Sequence, residues 1–291
     1  FEHRNKENKG YYLMLMALPP PVPQTGYSLP HIGTYWHGPP LGALERACLF
    51  SILELGHPVT IFCHGNIKGV PEGVEICDAR EITGNRSVLL HAKTQSPALF
   101  TDQFRYHMIR KLGYIWVDLD FFLIKPLWPI DDYLFAYEDK IYINGAILSL
   151  PKSSPTLMDL ITFCENEYPV PPFFSFFQDK KVKILFQKMI GKPVHVTHMK
   201  WGVWGPRALT WFLIKNQEDY RAKNSHLFYP VHWRNIDQFF LSSNLFKSTY
   251  LNKAVAVHLY GMKLRKLIDD NGGVEKIPTG SYLNDLFKYG S

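Results

Sequence analysis

Residues 113–127, GYIWVDLDFFLIKPL, constrain the fold more than any other stretch of the chain. A run this apolar reads as a strand buried on both faces, as strands are inside a parallel sheet covered by helices. Yet it carries Asp118 and Asp120 in its middle. An ionised carboxylate is expensive to bury unless a cation or several donors meet it, so the pair needs a partner. Side chains alternate along a strand, which places Asp118 and Asp120 on one face and Leu119 on the other. Two carboxylates on one face at a strand end make half a site for a hard divalent cation, manganese or magnesium, that draws its other ligands from water and phosphate oxygens. The plainer alternative is a pair of aspartates making caps or surface salt bridges, because the motif is short.

The flanking segments supply the rest of such a sheet. HIGTYW (31–36) reads as a strand, GALERACLFSILELG (42–56) as an amphipathic helix closed by Gly56, VTIFC (59–63) as a second strand and VEICD (74–78) as a short third. The order β-α-β-β predicts an α/β layer fold with a largely parallel sheet, in which ligands collect beyond the carboxyl ends of the strands. Later come a strand in KIYINGAILSL (140–150), a helix in SPTLMDLITFCENE (154–167), a helix opening near Pro206 and a final strand in AVAVHLYG (254–261), followed by a polar tail. Residues 1–30, with the proline cluster LPPPVP, read as an extended arm or linker, and residues 31–291 as one domain.

Composition narrows the function classes. Lys and Arg outnumber Asp and Glu by 32 to 26, a mild excess that suits anionic partners such as nucleotide phosphates. No dense basic run interleaved with aromatics marks a nucleic-acid groove, so no nucleic-acid partner is expected. The four cysteines, Cys48, Cys63, Cys77 and Cys164, have neither CxxC nor zinc spacing and read as reduced thiols of a cytoplasmic protein. The longest early apolar run, at 11–18, is too short to span a bilayer.

The segment before the two aspartates adds a second pair. TDQFRYHMIRKLG (101–113) predicts a helix with its N-cap at Thr101 or Asp102 and its end at Gly113. Asp102 and Arg105 then share a face near the helix N-terminus, whose partial positive charge suits an anionic or hydroxyl-rich ligand. Taken together, TDQFRYHMIRKLGYIWVDLD (101–120) resembles the core of DxD-containing glycosyltransferases of family 32. That group includes fungal initiating mannosyltransferases, α-1,4-galactosyltransferases and bacterial capsule and lipopolysaccharide enzymes. The segment is also similar to the glucosyltransferase core of clostridial toxins. INGAILSLPKSSP (143–155), WGPRALT (204–210) and VHLYG (257–261) resemble further parts of the family, so the likeness runs from about residue 30 to about residue 262. It departs at Tyr114, where the family carries the second of two glycines, a position expected to affect the backbone's approach to the nucleotide and the choice of donor.

The resemblance implies a GT-A-type, Rossmann-like mixed sheet, mostly parallel and flanked by helices. It further implies a retaining, metal-dependent transfer from a nucleotide-sugar, UDP-linked first and GDP-linked second, to a glycan or glycolipid hydroxyl. Carried over by position, Asp120 binds the metal and Asp118 the donor ribose, the metal or both, while Asp102 and Arg105 grip the transferred sugar. Asn144 and Gly145 line that sugar, unless Asn144 is a turn residue. Trp36 stacks on the nucleobase or belongs to the core. His258 is a third metal ligand or a satisfied core histidine, and Lys263 screens the leaving diphosphate. No dedicated general base stands out, which a same-face mechanism tolerates.

One segment stands apart. PPFFSFFQDKKVKILFQKMIGK (171–192) sets four phenylalanines near its start beside a stretch with five lysines and a fifth phenylalanine, Phe186. It is either a core-packed loop with a solvated basic helix, or a peripheral contact with a membrane or a lipid-linked acceptor. Two other readings of the whole chain stay open: a DxD-type phosphohydrolase, disfavoured because Asp120 is followed by FFLIKP, and a non-catalytic nucleotide-sugar-binding protein.

Overall fold

The computed structural model describes residues 28–175 and 181–291; residues 1–27, most of the expected arm, and 176–180 lie outside that description. A six-stranded sheet runs through the molecule in the order β3-β2-β1-β4-β7-β6, with β1 Ile32–Trp36, β2 Val59–Cys63, β3 Glu75–Asp78, β4 Ile115–Val117, β6 Leu134–Tyr137 and β7 Ile143–Ser149. β3, β2, β1 and β4 are parallel, and β7 runs antiparallel to both β4 and β6. The sheet is therefore mixed and mostly parallel, the α/β class expected. All five residues of β2 are buried, as a strand covered on both faces requires. A separate two-stranded ribbon pairs β5 Phe121–Leu123 with β8 Ala256–His258, antiparallel.

Helices cover both faces. α1 Ala43–Glu54 opens where Glu45 accepts a hydrogen bond from the Gly42 N–H. α2 Ala98–Leu112 closes at Gly113, whose φ of 75° is the left-handed conformation that glycine adopts without strain. α3 Pro155–Cys164 is capped by the Ser154 hydroxyl, which accepts from the Leu157 N–H. α4 Lys181–Met189 and α5 Pro206–Lys215 follow, the latter with proline at its first position as expected. On one face of the sheet Phe100, Phe104 and Met108 of α2 pack with Trp116, Leu157, Leu209 and Leu213. On the other, Leu49 and Ile52 of α1 pack with Ile61, Val117 and Phe121.

Three expectations change. α2 begins one turn earlier than predicted, at Pro97, because Leu99 and Phe100 extend its buried stripe. Thr101 is thus inside the helix with its hydroxyl on the Pro97 carbonyl, and Asp102 sits in the second turn, away from the free N–H groups of the helix end. β4 stops at Val117, so Asp118 and Asp120 lie in the turn leading to β5, and their directions are set by that turn, not by strand alternation. The polar tail is helical: α6 Gly261–Asp270 and α7 Tyr282–Tyr289 bury Leu264, Ile268, Leu283 and Leu286 in a third cluster with Val257 and Leu259. Among the described residues all four cysteines are free thiols, and no helix is long and apolar enough to cross a membrane.

Candidate functional site

The turn after β4 fixes the first pair of functional groups. The Asp118 N–H donates to the Ala146 carbonyl of β7 (2.8 Å), and the Asp118 carbonyl accepts from the Phe121 N–H (3.1 Å). These bonds hold the loop tight against the sheet while leaving 29% of the Asp118 side chain and 27% of the Asp120 side chain open. Asp118 Oδ1 accepts from Trp116 Nε1 (2.5 Å) and from Arg105 Nη2 (2.9 Å). The other arm of the guanidinium, Nη1, donates to Asp102 Oδ1 (3.1 Å), and the guanidinium carbon lies 4.9 Å from the Trp116 ring centre. Arg105 thus sits between two carboxylates, one turn of α2 reaching across to the end of β4.

Two glycines make room for this triad. A Cβ on Gly145 would stand 2.6 Å from Arg105 Nη1, and one on Gly205 would stand 2.8 Å from Asp102 Oδ2. Gly145 belongs to β7 and Gly205 precedes α5, so both neighbours of the triad are stripped to backbone where they approach it.

Asp120 is held from the opposite side. Its Oδ1 lies 3.2 Å from His258 Nε2, its Oδ2 accepts from the Gly261 N–H (2.8 Å) and its carbonyl accepts from the Leu259 N–H (2.8 Å). The pairing of Phe121 with His258 across the β5–β8 ribbon sets this geometry, and the His258 ring stacks on Phe121 at 4.7 Å. Tyr260, with φ of 51°, takes the left-handed conformation that turns the chain from β8 into α6. A strained non-glycine residue beside two reactive groups is a pattern that recurs at functional sites.

Electrostatics divide these groups. Burial pushes the Asp102 carboxyl up to about 7, Arg105 opposing the shift and Asp118 adding to it. Burial also raises Asp118 against the pull of Arg105. For Asp120 burial acts in the same sense, but His258 and the Gly261 N–H outweigh it and hold the carboxyl below its usual range. His258 mirrors that: burial lowers it, and the Asp120 charge prevails and raises it. Three carboxylates thus share one guanidinium and one imidazole, and two of the three are driven toward the neutral acid.

These residues line a cleft of about 600 Å³. Glu138, Tyr142 and Asn144 form one wall, His91, Trp201 and Arg207 another, and Trp233, Tyr260 and Lys263 a third. Asn144 is on β7, donates to Glu138 (3.0 Å) and accepts from the Ala146 N–H (2.9 Å), so it is a strand residue facing the cleft, not a turn residue. Lys263, in the first turn of α6, has its Nζ 3.6 Å from the Trp233 ring centre, and burial lowers its pKa. Trp36, at the carboxyl end of β1, donates to the Pro39 carbonyl (2.8 Å) and lines an adjoining recess of about 180 Å³ with Asp118, Asp120 and Arg265. The structure therefore brings Asp102, Arg105, Asp118, Asp120, Asn144, His258 and Lys263 to one cleft and Trp36 to its side recess. Tyr114 is elsewhere: its ring stacks on His31 at 3.8 Å, at the amino ends of β1 and β4, so it does not touch the cleft.

Glu138, Trp201, Trp233 and Tyr260 are cleft residues that sequence reasoning missed. Glu138 directly follows β6, a strand not anticipated; Trp201 and Trp233 come from segments without local signature, and Tyr260 lies in VHLYG, where the resemblance pointed to His258. Among the described residues no three His, Cys, Asp or Glu side chains converge as a ready-made metal cage.

No protein-family model and no curated protein matches the chain. Among solved structures, the apo structure of the bifunctional glycosyltransferase WbbM is similar over 92% of this chain and 53% of that one, at 14% identity and a TM-score of 0.32. The chain thus spans about half the length of that protein, and a likeness at this level carries no argument about function.

Proposed function

We propose that the chain is a metal-dependent glycosyltransferase that uses a nucleotide-sugar donor and a glycan or glycolipid acceptor. The observation that carries this reading is the charge balance of the cleft. Asp102, Asp118 and Asp120 converge where strands β1 and β4 end, and burial already drives two of them toward protonation. That is the condition of a site short of positive charge, which a divalent cation relieves.

The donor set suits manganese or magnesium. Asp120 and Asp118 are hard oxygen ligands open to the cleft, and a shell completed by water and phosphate needs few protein groups. His258 would serve as a third ligand only through Nε2, which lies 3.2 Å from Asp120 Oδ1; its ring is fixed by stacking, and its buried Nδ1 has no hydrogen-bond partner among the described residues. When bound, such an ion supplies Lewis-acid stabilisation of a diphosphate leaving group.

The protein's own groups divide the remaining work. Arg105, braced by both carboxylates, and Asp102 would hold the hydroxyls of the transferred sugar, with Asn144 beside them. Lys263 would neutralise charge developing on the departing phosphate, where electrostatic catalysis acts most strongly. Trp36 would stack on the base from the side recess. Retention of configuration rests on the family resemblance alone; in such a same-face attack the acceptor proton would pass to the leaving phosphate, so no carboxylate base is required. A UDP-sugar is the first donor proposed and a GDP-sugar the second.

The test is release of nucleoside diphosphate from UDP-glucose, UDP-galactose and GDP-mannose, with manganese or with EDTA. The expected result is release from one nucleotide class, abolished by EDTA. Hydrolysis of p-nitrophenyl phosphate without release from any donor would replace this reading with a phosphohydrolase. Donor binding without turnover would leave a nucleotide-sugar-binding protein.

A further inference from the structure

We propose that α4 and the turn after it form a docking face for an anionic lipid surface. This stands on observations outside the cleft and does not depend on the catalytic reading. α4 is fastened to the molecule by Ile184, which is buried in the cluster that also holds Phe174, Val203 and Trp204. On the other side of the helix, Val182, Phe186 and Met189 are 52%, 60% and 84% exposed, and Ile190 just beyond it is 52% exposed. Positions 182, 186, 189 and 190 follow the i, i+4, i+7, i+8 spacing of one helix face. Ile184 lies about 200° around the helix from Val182, so the apolar stripe points away from the core. An ordinary surface helix turns such a stripe inward; this one presents it to solvent.

The charge around the stripe selects its occupant. Lys183, Lys188 and Lys192 are exposed, and residues 181–192 contain no Asp or Glu. A stripe that met a protein groove or a second copy would need no such one-signed border. Lys183 beside the apolar face and Lys192 just past its end, with phenylalanine and methionine at its centre, fit phosphate headgroups over acyl chains. Only part of the segment takes this role: Phe174 is buried against the core, with the Arg207 guanidinium 4.5 Å from its ring centre. The face is joined to the cleft through one cluster, because Val203 and Trp204 belong to the loop that places Trp201 and Gly202 on the cleft wall.

The experiment is co-sedimentation of the full chain with vesicles of phosphatidylcholine alone or mixed with phosphatidylglycerol, at low and at high salt. The chain should pellet with the anionic vesicles, less so as salt rises. A Phe186→Ser/Met189→Ser variant should stay in the supernatant with an unchanged melting curve, since both side chains are exposed. A Lys183→Glu/Lys192→Glu variant should lose more than about tenfold in vesicle affinity. No pelleting at low salt overturns the proposal, and so does undiminished pelleting of the Phe186→Ser/Met189→Ser variant. If the wild-type chain stays soluble with vesicles but forms a dimer that this variant abolishes on a sizing column, the face contacts a second copy and the lipid proposal is overturned.

Discussion

The groove between α1, α7 and β5 is more capacious than the cleft beyond β4, at about 840 Å³ against about 600 Å³. Leu55, Phe122, Ile124, Leu251 and Leu286 line it, with Glu54, Lys247 and Asp285 among them. Little in it converges: Glu54 meets the Tyr289 hydroxyl, and among the described residues no ion pair joins Glu54, Lys247 or Asp285 to a partner. In the cleft, three carboxylates, a guanidinium and an imidazole are bonded in two adjoining sets, Asp102–Arg105–Asp118 and Asp120–His258. Volume alone therefore does not mark a site. Convergent charge held in a partly desolvated place does, because there it alters protonation and field strength together.

The strongest way to break this comparison is Asp120→Ala. It should reduce turnover by roughly 10²–10³-fold, the scale of losing one electrostatic contact to a transition state, while the melting curve stays cooperative. Turnover within a few-fold of wild type would move the chemistry out of the cleft.

Arg105→Ala should act on stability first. It leaves Asp102 and Asp118 facing each other without their shared cation, and breaking a buried pair in this way costs about 3–5 kcal/mol. Urea denaturation would measure it, and a loss under about 1 kcal/mol would mean that solvent already screens the triad.

Asp102→Asn sharpens the electrostatic side. The carboxyl stands at about 7 in the folded chain, against about 3.9 when unfolded. The native state therefore holds a proton that the unfolded chain releases in between. Its contribution to stability is complete below about pH 4, falls as pH rises, and is spent above about pH 7. The Asn variant should lose less melting temperature between about pH 5 and pH 7.5 than wild type does, and should be inactive throughout. An unchanged slope would show that Asp102 is not the group titrating.

The smallest effect belongs to the groove. Ser248→Trp, on its exposed rim, should leave turnover unchanged and alter stability by no more than about 0.5 kcal/mol. A marked loss of activity would give the groove a role that its lining does not suggest.

How much of this was legible beforehand depended on distance along the chain. β2 could be read to the residue, because VTIFC is continuous, β-branched and bounded by Pro58 and Gly65. The convergence of Asp102, Arg105 and Asp118 was visible because one helix and the turn that ends the next strand, adjacent in sequence, carry all three. The placement of Asp120 beside His258 rests on the β5–β8 ribbon, which joins segments about 135 residues apart, and only family resemblance pointed to His258. Glu138 had no signal at all, since β6 is four residues long and was not recognised. The last thirty residues or so read as polar because α6 and α7 each bury few side chains, Leu264 and Ile268 in one and Tyr282, Leu283 and Leu286 in the other. Their apolar stripes are too narrow to outweigh the Lys, Asp and Gly around them.

The central claim is that the cleft binds a nucleotide through a metal held at Asp120. The most direct measurement is the melting temperature of the wild-type chain and of Asp120→Ala with UDP or GDP, each with and without manganese. Ligand binding to the native state raises that temperature by mass action. The account predicts a rise in the wild type that needs both manganese and one of the two nucleotides, and no rise in the variant. An equal rise in Asp120→Ala, or none in the wild type under any combination, would contradict it.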